Sequence, residues 1–241
     1  MRRFHQLSKS EQYIADGGTE PPGSGKVHKE PGIYLCRRCD LPLYLSNDQF
    51  EAGCGWPSFD DELEGAILRV PDGDRIEIRC SRCSAHLGHV FENEGFTSKN
   101  MRHCVNSIAM RFLPAIVDHK QRVFFGGGCF WGIERDFSSY ETRVGYMGGT
   151  WVDPTYEEVC TGQTGHTEVV EVLFDGPFEK VIERFYEIHR PGLQKCQYKS
   201  VIFYLTKEQR EIANRCKRGA TEVLPASFFY VAESYHQHYY D

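Results

Sequence analysis

The sequence predicts a multi-domain α+β protein: a mainly-β first half of antiparallel sheets, then a two-layer α/β second half. Three observations carry that expectation. The 241-residue chain is long enough for two cores of about 120 residues each. Short apolar runs, several alternating with polar residues, fill residues 1–115. From about residue 121, strand-like runs alternate with amphipathic helical ones.

In the first half, Gly32–Leu35, Ala66–Val70, Arg75–Arg79 and Ser107–Phe112 read as strands, in sheets packed face to face or a partly closed barrel. In the second, Val123–Phe125 is a strand running into Gly126, Gly127 and Gly128, with a helix from Cys129 to about Phe137. Strand Val169–Phe174, helix Glu179–His189, strand Val201–Leu205 and helix Lys207–Lys217 complete the alternation. Residues 1–115 and 122–241 are expected as separate domains, joined by a linker at 116–121.

A net charge of −6 without a basic stripe speaks against a nucleic-acid partner. No apolar run approaches the roughly 20 residues that span a bilayer, and Met1-Arg2-Arg3-Phe4 leads into polar residues, not an apolar signal core. A cytoplasmic protein without membrane association is expected. Its ten cysteines are too sparse for a disulfide-stapled scaffold. In a reducing compartment they serve as metal ligands, catalytic thiols or small buried hydrophobes.

Four of them form two knuckles, Cys36-Arg37-Arg38-Cys39 and Cys80-Ser81-Arg82-Cys83. One such pair could be a redox couple, and all four could be buried reduced thiols. Two knuckles together favour a closed zinc site, structural because four protein ligands leave no position for substrate.

Two further cysteines lack a partner at knuckle spacing. Cys104 lies in Arg102-His103-Cys104-Val105-Asn106-Ser107, and Cys129 follows three glycines and precedes Phe130-Trp131. A strand-to-helix turn would put Cys129 in a helix's first turn, where N–H groups lower a thiol pKa. His86 and His89 suit proton transfer near neutrality, although a lone histidine is more often a satisfied core residue. Cys54 and Trp56, in Gly53–Phe59, add a thiol and an aromatic wall. Glu168 could be an acid of raised pKa or a solvated strand-edge residue.

The ordered segments Thr19–Pro22, Gly53–Phe59, His86–Phe91 and Arg102–Ser107, with both knuckles, strongly resemble the type B methionine sulfoxide reductases. Those enzymes reduce the R epimer. The resemblance implies Cys104 as nucleophile, His86 or His89 as proton donor, and Cys54 as recycling thiol. Trp56 would pack on the substrate methyl, while Arg102 and Asn106 orient the site. His103 stands where an aromatic ring is commoner.

Gly127–Glu134, Gly145–Gly149, Pro154–Cys160, Gly162–Val169 and Ala232–Gln237 resemble the type A enzymes, specific for the S epimer. That resemblance implies Cys129 as nucleophile and Glu168 as proton donor. Phe130 and Trp131 would bind the methyl, and Tyr156 and Tyr198 the sulfoxide oxygen. The second domain departs by shortening: Arg190–Tyr198 is a short loop without an acid, and the helix near Asn214–Gly219 is cut back. The chain ends at Asp241 without a cysteine-bearing tail. Cys160, Cys196 and Cys216 are then either substitute recycling thiols or buried structural ones, and otherwise an external thiol regenerates Cys129.

A bifunctional reductase follows, acting on free or protein-bound methionine sulfoxide with thioredoxin or a similar dithiol. Two alternatives stand beside it: an active type B site with a degenerate type A domain, and a zinc-ribbon binding module without reductase activity.

Overall fold

The structure, a computed structural model, describes residues 3–192 and 196–240. Contacts divide the chain into Phe4–Leu113 and Pro114–Asp241, the latter also taking in Arg3. No helix among the described residues is long and apolar enough to cross a membrane.

The N-terminal unit opens with α1 (Lys9–Ala15), a helix not anticipated from the sequence. Its signal was present: Ser8 and Glu11 close a capping box in which each side chain takes the other's backbone N–H. Three strands, β1 (Gly32–Cys36), β2 (Pro42–Leu45) and β9 (Met110–Pro114), form one sheet in the order β2-β1-β9, with β1 and β2 antiparallel. Ser107–Ala109, expected in a strand, is a short 3-10 turn instead.

The remaining strands, β3 (Gln49–Phe50), β4 (Ser58–Phe59), β5 (Ile67–Asp72), β6 (Arg75–Cys80), β7 (His86–Glu92) and β8 (Met101–Val105), form a second sheet. Its order is β3-β4-β8-β7-β6-β5, antiparallel throughout. Asp72 faces Arg75 across a two-residue turn at Gly73-Asp74, which fixes the β5–β6 register. Gly88 lets β7 and β8 approach closely, since a Cβ there would lie 2.0 Å from the Cys104 carbonyl oxygen.

The C-terminal unit begins with a hairpin. Residues 116–121, expected as a linker, pair β10 (Ile116–Val117) with the start of β11 (Lys120–Gly126). There follow α2 (Phe130–Asp136), β12 (Glu141–Met147), α3 (Tyr156–Cys160), β13 (Thr167–Phe174) and α4 (Phe178–Ile188). The chain continues through β14 (Val201–Tyr204), α5 (Lys207–Cys216), β15 (Glu222–Pro225) and β16 (Tyr230–Val231). The sheet runs β15-β14-β11-β13-β12-β16, and only β14 and β15 pair in parallel.

Helix α4 buries Phe178, Val181, Ile182 and Phe185, the three-and-four spacing of an apolar stripe. Phe185 and Phe137 stack on Phe125 of β11, at 4.7 and 5.5 Å between ring centroids. Each fully buried ring contributes roughly 2–3 kcal/mol. That shared core fixes α2, and hence Cys129, on the sheet.

Candidate active sites and a four-cysteine cluster

The two knuckles fold alike. In each, the backbone N–H of the residue after the second cysteine bonds back to the first cysteine's carbonyl: Asp40 to Cys36 at 2.9 Å, Ser84 to Cys80 at 2.8 Å. Asp40 and Ser84 both take left-handed backbone angles, with φ of 56° and 59°. The Cys36 and Cys83 sulfurs lie 3.6 Å apart and those of Cys39 and Cys80 3.5 Å, with all four within 4.8 Å of one another. Sulfurs around tetrahedral zinc, at about 2.3 Å from the metal, would sit about 3.8 Å apart. Donor type, number and spacing therefore fit such an ion.

Beside that cluster in the N-terminal unit, one transverse row crosses the larger sheet. Ser58 on β4 faces Cys104 on β8, which faces His89 on β7, which faces Glu77 on β6. Residues paired directly across strands point to one face. Strict alternation would send His86 and His89 to opposite faces. A bulge prevents this: Ile78 faces Gly88 but Arg79 faces His86, so Leu87 is an extra residue. Both imidazoles then share the Cys104 face, with ring centroids 5.6 Å apart.

Each imidazole is held by a carboxylate. His86 Nδ1 lies 2.5 Å from Glu77 Oε1, and His89 Nε2 lies 2.8 Å from Asp72 Oδ2. Burial pulls the His86 pKa down despite Glu77, so the ring is neutral at pH 7. Its other nitrogen, Nε2, is buried with no hydrogen-bond partner among the described residues.

Cys104, Trp56, His89, Phe91, Asn106 and Thr19 wall a cleft of about 140 Å³. A larger cavity of about 560 Å³ lies between α1 and Phe112 and holds none of the expected site residues. The Cys54 sulfur lies 3.9 Å from that of Cys104 and 3.6 Å from Ser58 Oγ. Burial pushes the Cys104 thiol up to about 12, and the adjacent Cys54 adds to the shift. For Cys54 burial acts the same way, but hydrogen bonds at Trp56, Ser58 and Cys104 outweigh it and lower its pKa. The Arg102 guanidinium lies beside Cys104 and is gripped by both oxygens of Glu94, at 2.6 and 2.8 Å.

Glu20, to which the sequence assigned no role, ties this site together. Its carbonyl accepts from Trp56 Nε1 at 3.0 Å, and its N–H donates to Asn106 Oδ1 at 3.0 Å. Its carboxylate accepts from the N–H groups of Ser107, at 2.5 Å, and Ile108, at 3.1 Å. Asn106 also donates to the Leu87 carbonyl, so it braces the bulge that carries the histidines.

The C-terminal unit builds its site from different parts. Cys129 is exposed and caps α2, and Gly128 before it has φ of +106°, which favours glycine. The thiol pKa, expected to be lowered at a helix start, is instead raised. Burial and the charge of Glu168 outweigh the N–H groups of Trp131 and Gly132 at the head of this seven-residue helix.

Glu168 is 1% exposed, accepts from the Phe130 N–H at 3.1 Å through Oε2, and has no partner at Oε1 among the described residues. Burial pushes its carboxyl up to about 7. It is no solvated edge residue. Tyr156, first in α3, and Tyr198 are held above the usual phenol range by burial, and both feel the Glu168 charge. Phe130 is fully within the core, whereas Trp131 stays partly open and stacks on Tyr239 at 3.9 Å.

Among the described side chains no thiol lies against Cys129. Residues 193–195 of the shortened loop lie outside the described residues, as does the Cys196 side chain. Two neighbours come from the Ala232–Gln237 segment: His236 lies 4.5 Å from the Tyr156 ring and 5.3 Å from that of Phe130, and Glu233 bonds both Tyr146 and Tyr156.

Comparison with known proteins agrees with this division. Residues 7–114 match the SelR domain family, and residues 121–241 match the family described as Peptide methionine sulfoxide reductase. Over 102 residues the chain is 56% identical to peptide methionine sulfoxide reductase B2, chloroplastic, of Arabidopsis thaliana, covering 40% of this chain and 50% of that one. It is 52% identical over 103 residues to peptide methionine sulfoxide reductase B5 of Oryza sativa subsp. japonica, covering 41% of this chain and 76% of the other. Peptide methionine sulfoxide reductase MsrA of Vibrio cholerae serotype O1 is 40% identical over 164 residues, covering 57% of this chain and 76% of that protein. The chain thus spans about half the length of the first of these relatives and three quarters of the other two. It belongs to the peptide methionine sulfoxide reductases, with a SelR domain of the B type in its first half and an A-type domain in its second.

Proposed function

We propose that this protein repairs oxidised methionine at two sites, the R epimer at Cys104 and the S epimer at Cys129. The observation that carries this reading is the Cys54–Cys104 sulfur pair, 3.9 Å apart at a cleft walled by Trp56 and His89. At the first site His86 or His89 takes the Cys104 proton, and the thiolate attacks the sulfoxide sulfur. The imidazolium returns the proton to the sulfoxide oxygen, which passes as hydroxyl to the Cys104 sulfur while the bond between Cys104 and the substrate sulfur breaks, leaving methionine and a sulfenic acid on Cys104. Trp56 receives the methyl group, and Arg102 and Asn106 orient the reacting groups. Cys54 then condenses with the sulfenic acid, releasing water and forming a disulfide that thioredoxin or a similar dithiol reduces.

At the second site Cys129 attacks and Glu168, its carboxyl pKa raised by burial, supplies the proton to the oxygen. Phe130 and Trp131 cage the methyl, and Tyr156 and Tyr198 bond the oxygen. One structural zinc ion would be held by Cys36, Cys39, Cys80 and Cys83, bracing the scaffold without touching substrate. The free thiols suit a reducing, cytoplasmic setting.

The deciding experiment gives the purified full chain separated epimers of methionine sulfoxide with dithiothreitol. Reduction of both is expected, and failure on the R epimer would sink the reading. A narrower reading, in which only the R epimer turns over, is favoured by the lack of a thiol against Cys129 among the described side chains. If dithiothreitol supports S-epimer reduction and thioredoxin does not, recycling is lost and the chemistry retained.

A further inference from the structure

Glu233 takes no part in the chemistry above, yet it joins three residues around the C-terminal site. Its Oε2 accepts from the Tyr146 hydroxyl at 2.8 Å, and its Oε1 accepts from the Tyr156 backbone N–H at 3.0 Å. Burial opposes its ionisation, but these bonds, its own N–H and His236 outweigh burial and keep it a carboxylate. Tyr146 on β12 stands directly across from Glu168 on β13, so their Cβ atoms are about 5 Å apart. Glu168 meanwhile has one oxygen, Oε1, with no donor among the described residues. The hydroxyl of Tyr146, the residue paired directly across from Glu168, is engaged by Glu233 instead.

We propose, on the premise that Glu168 is the acid, that Glu233 is a positioning residue: it holds the Tyr146 hydroxyl so that Tyr146 does not donate to Glu168, and it anchors the Tyr156 end of α3. A hydroxyl donated to Glu168 would favour the carboxylate over the acid, the form that has no proton to give. The other titratable groups facing Glu168 are Cys129 from the start of α2, Tyr156 from α3 and Tyr198 from the turn before β14. His236 lies beyond Glu233, with Nε2 3.9 Å from its Oε2.

Glu233→Gln separates this role from plain support. The amide oxygen still accepts from the Tyr156 N–H, but the amide NH₂ now donates toward Tyr146 and frees that hydroxyl for Glu168. The full chain, labelled with [¹³C]glutamate, is titrated by NMR, with the Glu168 carboxyl assigned by its loss in Glu168→Gln. The pH dependence of S-epimer reduction with dithiothreitol is followed in parallel.

In Glu233→Gln the Glu168 titration is expected to move down by about one pH unit. The alkaline fall in rate moves with it, and KM rises. Adding Tyr146→Phe restores the titration, and Tyr146→Phe alone leaves it in place. An unmoved titration in Glu233→Gln, with the rate lowered equally at every pH, would make Glu233 a structural residue and overturn the proposal. A shift that persists in the double variant, or one produced by Tyr146→Phe alone, overturns it equally. Absence of S-epimer turnover in the unaltered chain removes the catalytic premise, and the carboxyl titration still decides what Glu233 does.

Discussion

On the proposed chemistry, the two thiol sites meet one problem with opposite parts. Cys104 sits on a β-strand, in a cleft, with a second thiol at 3.9 Å and two imidazoles on its face. Cys129 sits at a helix start, exposed, with a single buried carboxyl and no thiol against it among the described side chains. The first site offers imidazoles, His86 and His89, as its proton-transfer groups. The second uses a carboxyl brought to about 7 by burial alone. On the proposed roles, the proton donor is set by residue choice in one unit and by desolvation in the other.

Exchange of the nucleophiles tests this contrast most sharply. Cys104→Ser should lower R-epimer reduction by on the order of 10³-fold or more while sparing the S epimer, and Cys129→Ser should do the reverse. Chromatography of products from each epimer reads both. Loss of both activities in either variant would mean the sites are not independent.

Disrupting the four-cysteine cluster, by a strong chelator or Cys80→Ser, should destabilise the N-terminal unit by several kcal/mol. Calorimetry should show one transition falling while S-epimer turnover persists. Parallel loss of both activities would break the assignment of the cluster to one unit's stability.

Glu168→Gln should cost about 10²–10³-fold in S-epimer kcat. The sign of its pH dependence follows from the raised pKa: the protonated form works, so the rate falls as pH rises through about 7. The variant should lack that fall, whereas R-epimer reduction should keep its own profile. A fall retained in Glu168→Gln would assign the acid elsewhere.

The smallest effect on the chemical step itself is expected from Cys54→Ser. The first R-epimer turnover should keep its rate while thioredoxin-supported cycling stops. A sulfenic-acid-reactive probe should then label Cys104, and should label Cys129 already in the unaltered chain. A disulfide at Cys129 in the unaltered chain would show a recycling thiol and remove the difference between the sites.

Much of this was legible from local pattern. The knuckles, the glycines before Cys129 and the strand–helix alternation are short-range features, and each sets its own turn or element. Helices α1 and α3 were legible too, through the Ser8–Glu11 and Thr155–Glu158 capping boxes, but both are short enough to be missed. Glu77 gave no signal, because in Arg75-Ile76-Glu77-Ile78-Arg79 it reads as one more solvent-facing position.

The sequence by itself determined which residues could do chemistry and on what kind of element each would lie, since backbone preference and side-chain period act over a few residues. Tertiary structure alone decided which of them meet. The extra residue at Leu87 turns His86 onto the His89 face, and sheet order brings Cys54 to Cys104 across 50 positions. Strand pairing sets Tyr146 beside Glu168, and the chain's last turn carries Glu233 back to both Tyr146 and Tyr156. Such contacts depend on register and burial, which no local stretch of sequence encodes.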